Sequence, residues 1–180
     1  FTFYMFIKKS KSDFNIKKIN NSYFSRSYSL SGSIKVPGDK SISQRALIIS
    51  LISTGKTIIE NILDSEDVYH TMQAVTQLGA ILRVNNNHIE VKGVGLGNLI
   101  TPKKPIYMGN SGTGTRLLLG LVAGSNALVT FYGDSSLTER PMDRVLLPLK
   151  EMGARIMCDD SNKLPITIMG ARAKGFTLPI

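Results

Sequence analysis

Pro37-Gly38-Asp39-Lys40-Ser41-Ile42-Ser43-Gln44-Arg45 is the stretch on which the fold turns. A proline–glycine turn interrupts the chain, and beyond it Ile42, Ala46, Ile49 and Ile52 recur at helical spacing. This spacing predicts a helix over 41–53 with those four residues as its apolar face, stopped by Gly55. A short strand, 32–36, precedes the turn. After the helix comes a β-branched run, 57–62, and then an acidic cap, Asp64-Ser65-Glu66-Asp67. The cap opens a second helix whose face carries Val68, Met72, Val75 and Leu78. Strands 80–84 and 88–92, joined by Asn85-Asn86-Asn87, complete a β-α-β-α-β-β unit.

The unit then repeats. Gly38 and Arg45 are echoed 71 positions on by Gly109 and Arg116, again across a strand–turn–helix junction, Met108-Gly109-Asn110-Ser111-Gly112. Gln77-Leu78-Gly79-Ala80-Ile81 is echoed by Glu151-Met152-Gly153-Ala154-Arg155, and Val91-Lys92-Gly93 by Ile168-Met169-Gly170. Four correspondences in one order predict an α/β protein of tandem β-α-β-α-β-β units. A new strand is expected at Phe176-Thr177-Leu178-Pro179, so the chain reads as two units and the start of a truncated third.

Composition narrows what such a protein does. Of 180 residues, 42% are hydrophobic, enough for a core and against wholesale disorder. The longest apolar run, Phe3 to Ile7, falls far short of the ~18 residues of a membrane span. One cysteine and two histidines leave no disulfide framework and no basis for a metal site, so neither metal nor cofactor is expected. Net charge is +9, and residues 1–40 carry +6 of it, from eight basic residues against two acids. Such a balance suits phosphate-bearing partners. Residues 1–29, rich in Lys, Ser, Asn and aromatics, read as a poorly ordered basic extension; a transit peptide is the alternative. The partial domain then runs 30–180.

A glycine turn feeding a helix directs free N–H groups and the positive end of the helix dipole at one point, which binds anions. Lys40 and Ser41 begin the first such helix, and Arg45 shares the face of Ser41 four residues on. Asn110-Ser111-Gly112-Thr113-Gly114-Thr115-Arg116 repeats the device, and Glu139-Arg140-Pro141-Met142 adds a third basic element before another helix. Singly, these cations and glycines read equally well as surface and turn residues. Two junctions in register, together with Arg140, point to anion binding.

Other motifs fail on context. Gly55-Lys56-Thr57 follows a helix and has Ser50 where a Walker loop needs glycine. Gly93-Val94-Gly95-Leu96-Gly97 lacks dinucleotide spacing. Cys158 reads as a packing residue in a strand, His70 as a helix residue without an evident partner, and His88 as a turn residue.

The segment Leu30 to Arg45 resembles the opening of 5-enolpyruvylshikimate-3-phosphate (EPSP) synthases. Gly109 to Arg116 resembles the second signature of that family, and Leu137-Thr138-Glu139-Arg140-Pro141-Met142 its third. The resemblance implies the enolpyruvyl transferase fold, an inside-out α/β barrel of six such units in two domains. It also implies transfer of the enolpyruvyl group of phosphoenolpyruvate to the 5-hydroxyl of shikimate 3-phosphate, releasing phosphate, in aromatic amino acid biosynthesis. The reaction passes through a tetrahedral intermediate without a cofactor. Carried over, Lys40 touches both substrates, Ser41 and Arg45 hold shikimate 3-phosphate, and Gly112 and Arg140 bind phosphoenolpyruvate, with Asn110 and Thr113 shaping that pocket. Glycine at 112 matches the glyphosate-sensitive form. The proton-transferring lysine and carboxylates of the family belong to sequence beyond these residues, so no catalytic residue is assigned here and the chain alone is expected to be inactive.

The rivals are a UDP-N-acetylglucosamine enolpyruvyl transferase, which has a Lys-Asn pair where this chain has Lys40-Ser41, and a non-catalytic anion- or RNA-binding module. The family reading expects small-molecule substrates, no nucleic acid or membrane, a monomer at full length, and a cytoplasmic site, or a plastid one if the extension is a transit peptide.

Overall fold

Asp39 starts the first helix by accepting a hydrogen bond from the Ile42 N–H at 2.8 Å. Helix α1 runs Lys40–Ile52 in the computed structural model, which describes residues 16–19, 22–25, 32–86, 88–159 and 161–170. Strand β3 (Lys56–Glu60) follows, then α2 (Glu66–Gln77), whose N-cap Ser65 accepts from the Val68 N–H. Strands β4 (Ile81–Val84) and β5 (His88–Lys92) close the unit. The sheet order is β3-β5-β4, antiparallel throughout, with Ile59 opposite Ile89 and Thr57 opposite Val91. Ile59, Ile89 and Val91 turn to the core while Ile58 and Lys56 face outward, as strand alternation requires.

The second unit repeats this plan. Strand β6 (Ile106–Tyr107), α3 (Gly112–Ala123), β7 (Leu128–Tyr132), the single turn α4 (Ser135–Thr138), α5 (Asp143–Glu151), β8 (Arg155–Met157) and β9 (Ile166–Met169) follow in order. Their sheet is β6-β7-β9-β8, so β7-β9-β8 reproduces β3-β5-β4, and β6 adds a parallel edge. The repeat extends to backbone detail. Gly79 (φ +116°) and Gly153 (φ +97°) make the same left-handed exit from α2 and α5. A Cβ on Gly93 would overlap the Ser50 carbonyl, and one on Gly170 the Ser125 carbonyl, each at the end of the unit's first helix.

Three expectations need correction, at residues 32–36, on the face of α1 and at Cys158. Residues 32–36 form no strand and belong to none of the described sheets. The buried stripe of α1 is Ser43, Gln44, Leu47, Ile48, Ser50 and Leu51, whereas Ile42 and Ile49 are exposed at 69% and 59%. Apolar residues surround this helix, so periodicity could not choose the face; packing against α2, α3, β3 and β5 did. The stretch 1–29 holds two antiparallel strands, β1 (Ile16–Ile19) and β2 (Ser22–Ser25), separated in sequence by a pair of asparagines. Compact units divide at Pro37/Gly38. Cys158 lies just past β8, half-buried, with its thiol near the Asn162 side chain at 3.4 Å. The strand expected at 176–179 lies outside the described residues. No helix among those described is long and apolar enough to cross a membrane.

The glycine contacts are testable by urea unfolding of the 180-residue chain. Gly170→Ala is expected to cost about 1–3 kcal/mol, because backbone must move to admit the methyl. Gly120→Ala, inside α3 with open space around it, is expected to gain up to about 1 kcal/mol. Equal effects at the two positions would contradict this packing.

Candidate active site

Gln44, one turn into α1 and fully buried, joins three helices. Its amide donates to the Ser111 hydroxyl at the start of α3 (2.7 Å), to the Thr71 hydroxyl in α2 (3.1 Å) and to the Asp67 carbonyl (3.3 Å). The Thr71 hydroxyl itself donates to that carbonyl at 2.8 Å, which leaves it an acceptor for Gln44. Gly114 makes the hub possible, since a Cβ there would stand 2.7 Å from Ser111 Oγ, 2.9 Å from Gln44 Nε2 and 3.0 Å from Thr71 Oγ1. These bonds hold the beginnings of α1, α2 and α3 together.

The two elbows then differ. At the first, Asp39 occupies the Ile42 N–H, so the helix end expected to offer free amides is already capped by a carboxylate. Lys40 pairs with Asp67 at 2.8 Å and is half-exposed. Ser41 is half-buried and Arg45 exposed, and neither is hydrogen-bonded to the second elbow. At the second, Gly109 takes φ +54° and Ser111 is the N-cap of α3 but makes no side-chain cap bond. The N–H groups of Thr113 and Gly114 meet no protein acceptor among the described residues.

Two arginines converge on this open end. A Cβ on Gly112 would lie 3.0 Å from Arg116 Nη1 and 3.1 Å from Arg140 Nη1. Arg116 is steadied by the Pro141 carbonyl at 3.1 Å, and Arg140 by the Asn110 side-chain oxygen and by Ser136. Glu139, beside Arg140, instead bonds Lys163 at 2.8 Å. That ammonium holds the Glu139 carboxyl below its ordinary range, and the carboxylate raises Lys163 in turn. Neither arginine is in an ion pair among the described residues. The geometry therefore offers two guanidinium groups and two free amides around a residue without a side chain, a set that fits a small anion carrying several oxygens.

The geometry thus brings together Asn110, Gly112 and Arg140, with Thr113 beside them on α3, and links Lys40 to them through Asp67 and the Gln44 hub. Arg116 and Gln44 are additions. The glycine-to-arginine spacing already marked Arg116, and Gln44 could have been found as a polar residue in line with Leu47, Ile48 and Leu51. His70, expected to lack a partner, stacks edge-on with Tyr107 at 5.1 Å and fills the space over Gly109. His88 opens β5 and contacts Asn85 and Glu90.

The sequence model of the EPSP synthase (3-phosphoshikimate 1-carboxyvinyltransferase) family matches residues 25–180. The chain belongs to the EPSP synthase family. It is 47% identical over 151 residues to the 3-phosphoshikimate 1-carboxyvinyltransferase of Leuconostoc citreum, covering 83% of this chain and 35% of that protein. To the enzyme of that name from Lactococcus lactis it is 48% identical over 158 residues, covering 86% and 37%. A solved EPSP synthase from Acinetobacter baumannii superimposes with a TM-score of 0.76 at 36% identity, covering 81% of this chain and 34% of that one. The chain thus spans about a third of the length of the relatives it matches.

The two glycines of this elbow differ in what an added methyl would meet. Gly114→Ala, which presses on the buried hub, is expected to cost about 1–3 kcal/mol in urea unfolding. Gly112→Ala meets the ends of two arginine side chains, with Leu137 at ordinary contact distance, and is expected to shift stability by less than about 0.5 kcal/mol. A reversed order would contradict the assignment.

Proposed function

We propose that this chain supplies substrate-binding groups of a 3-phosphoshikimate 1-carboxyvinyltransferase, the name its relatives carry. The observation that carries the reading is the pair of guanidinium groups, Arg116 and Arg140, over Gly112 at the uncapped start of α3. Phosphoenolpyruvate, with a carboxylate and a phosphate on a three-carbon frame, suits that arrangement. Arg140 and the Gly112 turn bind it, and Asn110 orients Arg140 through its side-chain oxygen. Thr113 shapes the same pocket.

Shikimate 3-phosphate lies toward α1, where Ser41 and Arg45 are open to a ligand and Lys40 stands between the two substrates. Since Asp39 caps α1, side chains and not helix amides meet this second phosphate. Lys40 leaves Asp67 to do so, a small cost because the pair is exposed on the lysine side. In the reaction the 5-hydroxyl gives up its proton and its oxygen adds to C2 of phosphoenolpyruvate while C3 takes a proton and becomes a methyl group; loss of a methyl proton and expulsion of phosphate restore the double bond. The cations here hold the anionic groups while charge redistributes. A bulkier residue at position 112 would displace both arginines, which supports the expectation that the glycine form admits glyphosate.

Calorimetric titration of the 180-residue chain tests the reading. Phosphoenolpyruvate and shikimate 3-phosphate are both expected to bind, and Arg140→Ala to lower phosphoenolpyruvate affinity about tenfold or more. Removing residues 1–29 should leave shikimate 3-phosphate affinity within about twofold of the parent chain. Affinity that vanishes with those residues, or RNA binding that depends on them, would favour the nucleic-acid alternative. With both substrates the chain is expected to release no phosphate above the blank, and measurable release would contradict the division of labour.

A further inference from the structure

Ser111 is well placed to cap α3 and does not. An N-cap serine ordinarily accepts a hydrogen bond from the second or third N–H of its helix, here Thr113 or Gly114. Its hydroxyl lies close to Gly114, 2.7 Å from where that residue's Cβ would stand, and no side chain at 114 blocks its path. Yet its oxygen accepts from the Gln44 amide, also at 2.7 Å, and the cap bond is missing. Helices α1, α2 and α4, by contrast, are each capped by their own Asp39, Ser65 or Asp134.

Gln44 is an unusual choice for that place. It is fully buried, and its carbonyl oxygen Oε1 has no hydrogen-bond partner among the described residues, a cost that an apolar residue would avoid. What the carboxamide offers is an N–H group reaching across from α1 to the Ser111 oxygen.

We infer that Gln44 is a positioning residue that withholds Ser111 from its own helix, so that the Thr113 and Gly114 amides stay free for the anionic substrate. The inference rests on the reading of this elbow as the phosphoenolpyruvate site. A serine cap and a bound anion compete for the same N–H groups, and the Gln44–Ser111 bond decides the competition before the ligand arrives. Pre-organisation of this kind removes the need to break a cap on binding.

Amide hydrogen exchange of the 180-residue chain, read by NMR at Gly114, tests the inference without any ligand. Gln44→Met keeps side-chain volume and removes the donor. It is expected to slow exchange at Gly114 about fivefold, as Ser111 turns to cap the helix. Adding Ser111→Ala to that variant should restore fast exchange, and Ser111→Ala alone should leave it at the parent rate. Phosphoenolpyruvate affinity should follow: about fivefold weaker in Gln44→Met and recovered in the double variant, although the double variant is no more stable. A purely structural Gln44 gives no such recovery. Unchanged exchange in Gln44→Met, or faster exchange in Ser111→Ala alone, overturns the inference. If Gln44→Met does not fold, the Ser111→Ala result decides. Should the exchange pattern hold while the parent chain fails to bind phosphoenolpyruvate, the capping competition stands and the enolpyruvyl reading falls.

Discussion

The hydrogen bonds of one buried amide, Gln44, set the geometry on which the rest of the site depends. Three helices begin within reach of it, and each contributes an acceptor or the amide itself: Ser111 from α3, Thr71 and the Asp67 carbonyl from α2, Gln44 from α1. Polar groups in a dry interior are tied to particular partners, whereas apolar packing tolerates sliding. The leucine and isoleucine core around Leu47, Leu51, Leu118 and Leu119 supplies most of the driving force for folding, but the amide fixes the register between units.

From that register an asymmetry follows. The chain builds the same glycine elbow twice and uses the copies differently. In the first, a carboxylate closes the helix end and the cations stand on side chains. In the second, the helix end is open, the glycine is left-handed, and two arginines lean over a residue with no side chain. A repeat that duplicated perfectly would have made two copies of one elbow.

Much of this was legible in the amino acids, and the part that was not has a common cause. The repeated glycines are legible: Gly79 with Gly153, and Gly93 with Gly170, recur because an added Cβ or a right-handed φ would break the turn. The elbow motifs single out Arg140, Gly112 and Asn110, and the fold brings these three together. What failed were choices that only the third dimension makes. The apolar ring around α1 did not say which side would be covered, and Ile42 lost to Leu47 and Leu51. His70 found its partners, Tyr107 and Gly109, on another unit of the repeat. Asp39 stands in the sequence as an Asp before a helix, yet only the structure shows its carboxylate taking an N–H that the elbow is expected to leave free.

A crystal structure of the 180-residue chain with phosphoenolpyruvate and shikimate 3-phosphate tests the central claim most directly. One anionic group of phosphoenolpyruvate should lie about 3 Å from the Thr113 or Gly114 nitrogen and from the guanidinium groups of Arg116 and Arg140, with Ser111 still held by Gln44. Phosphoenolpyruvate bound instead in the groove of Lys56, Arg83 and Lys92 on the outer face of the first sheet, with the second elbow empty, would contradict it.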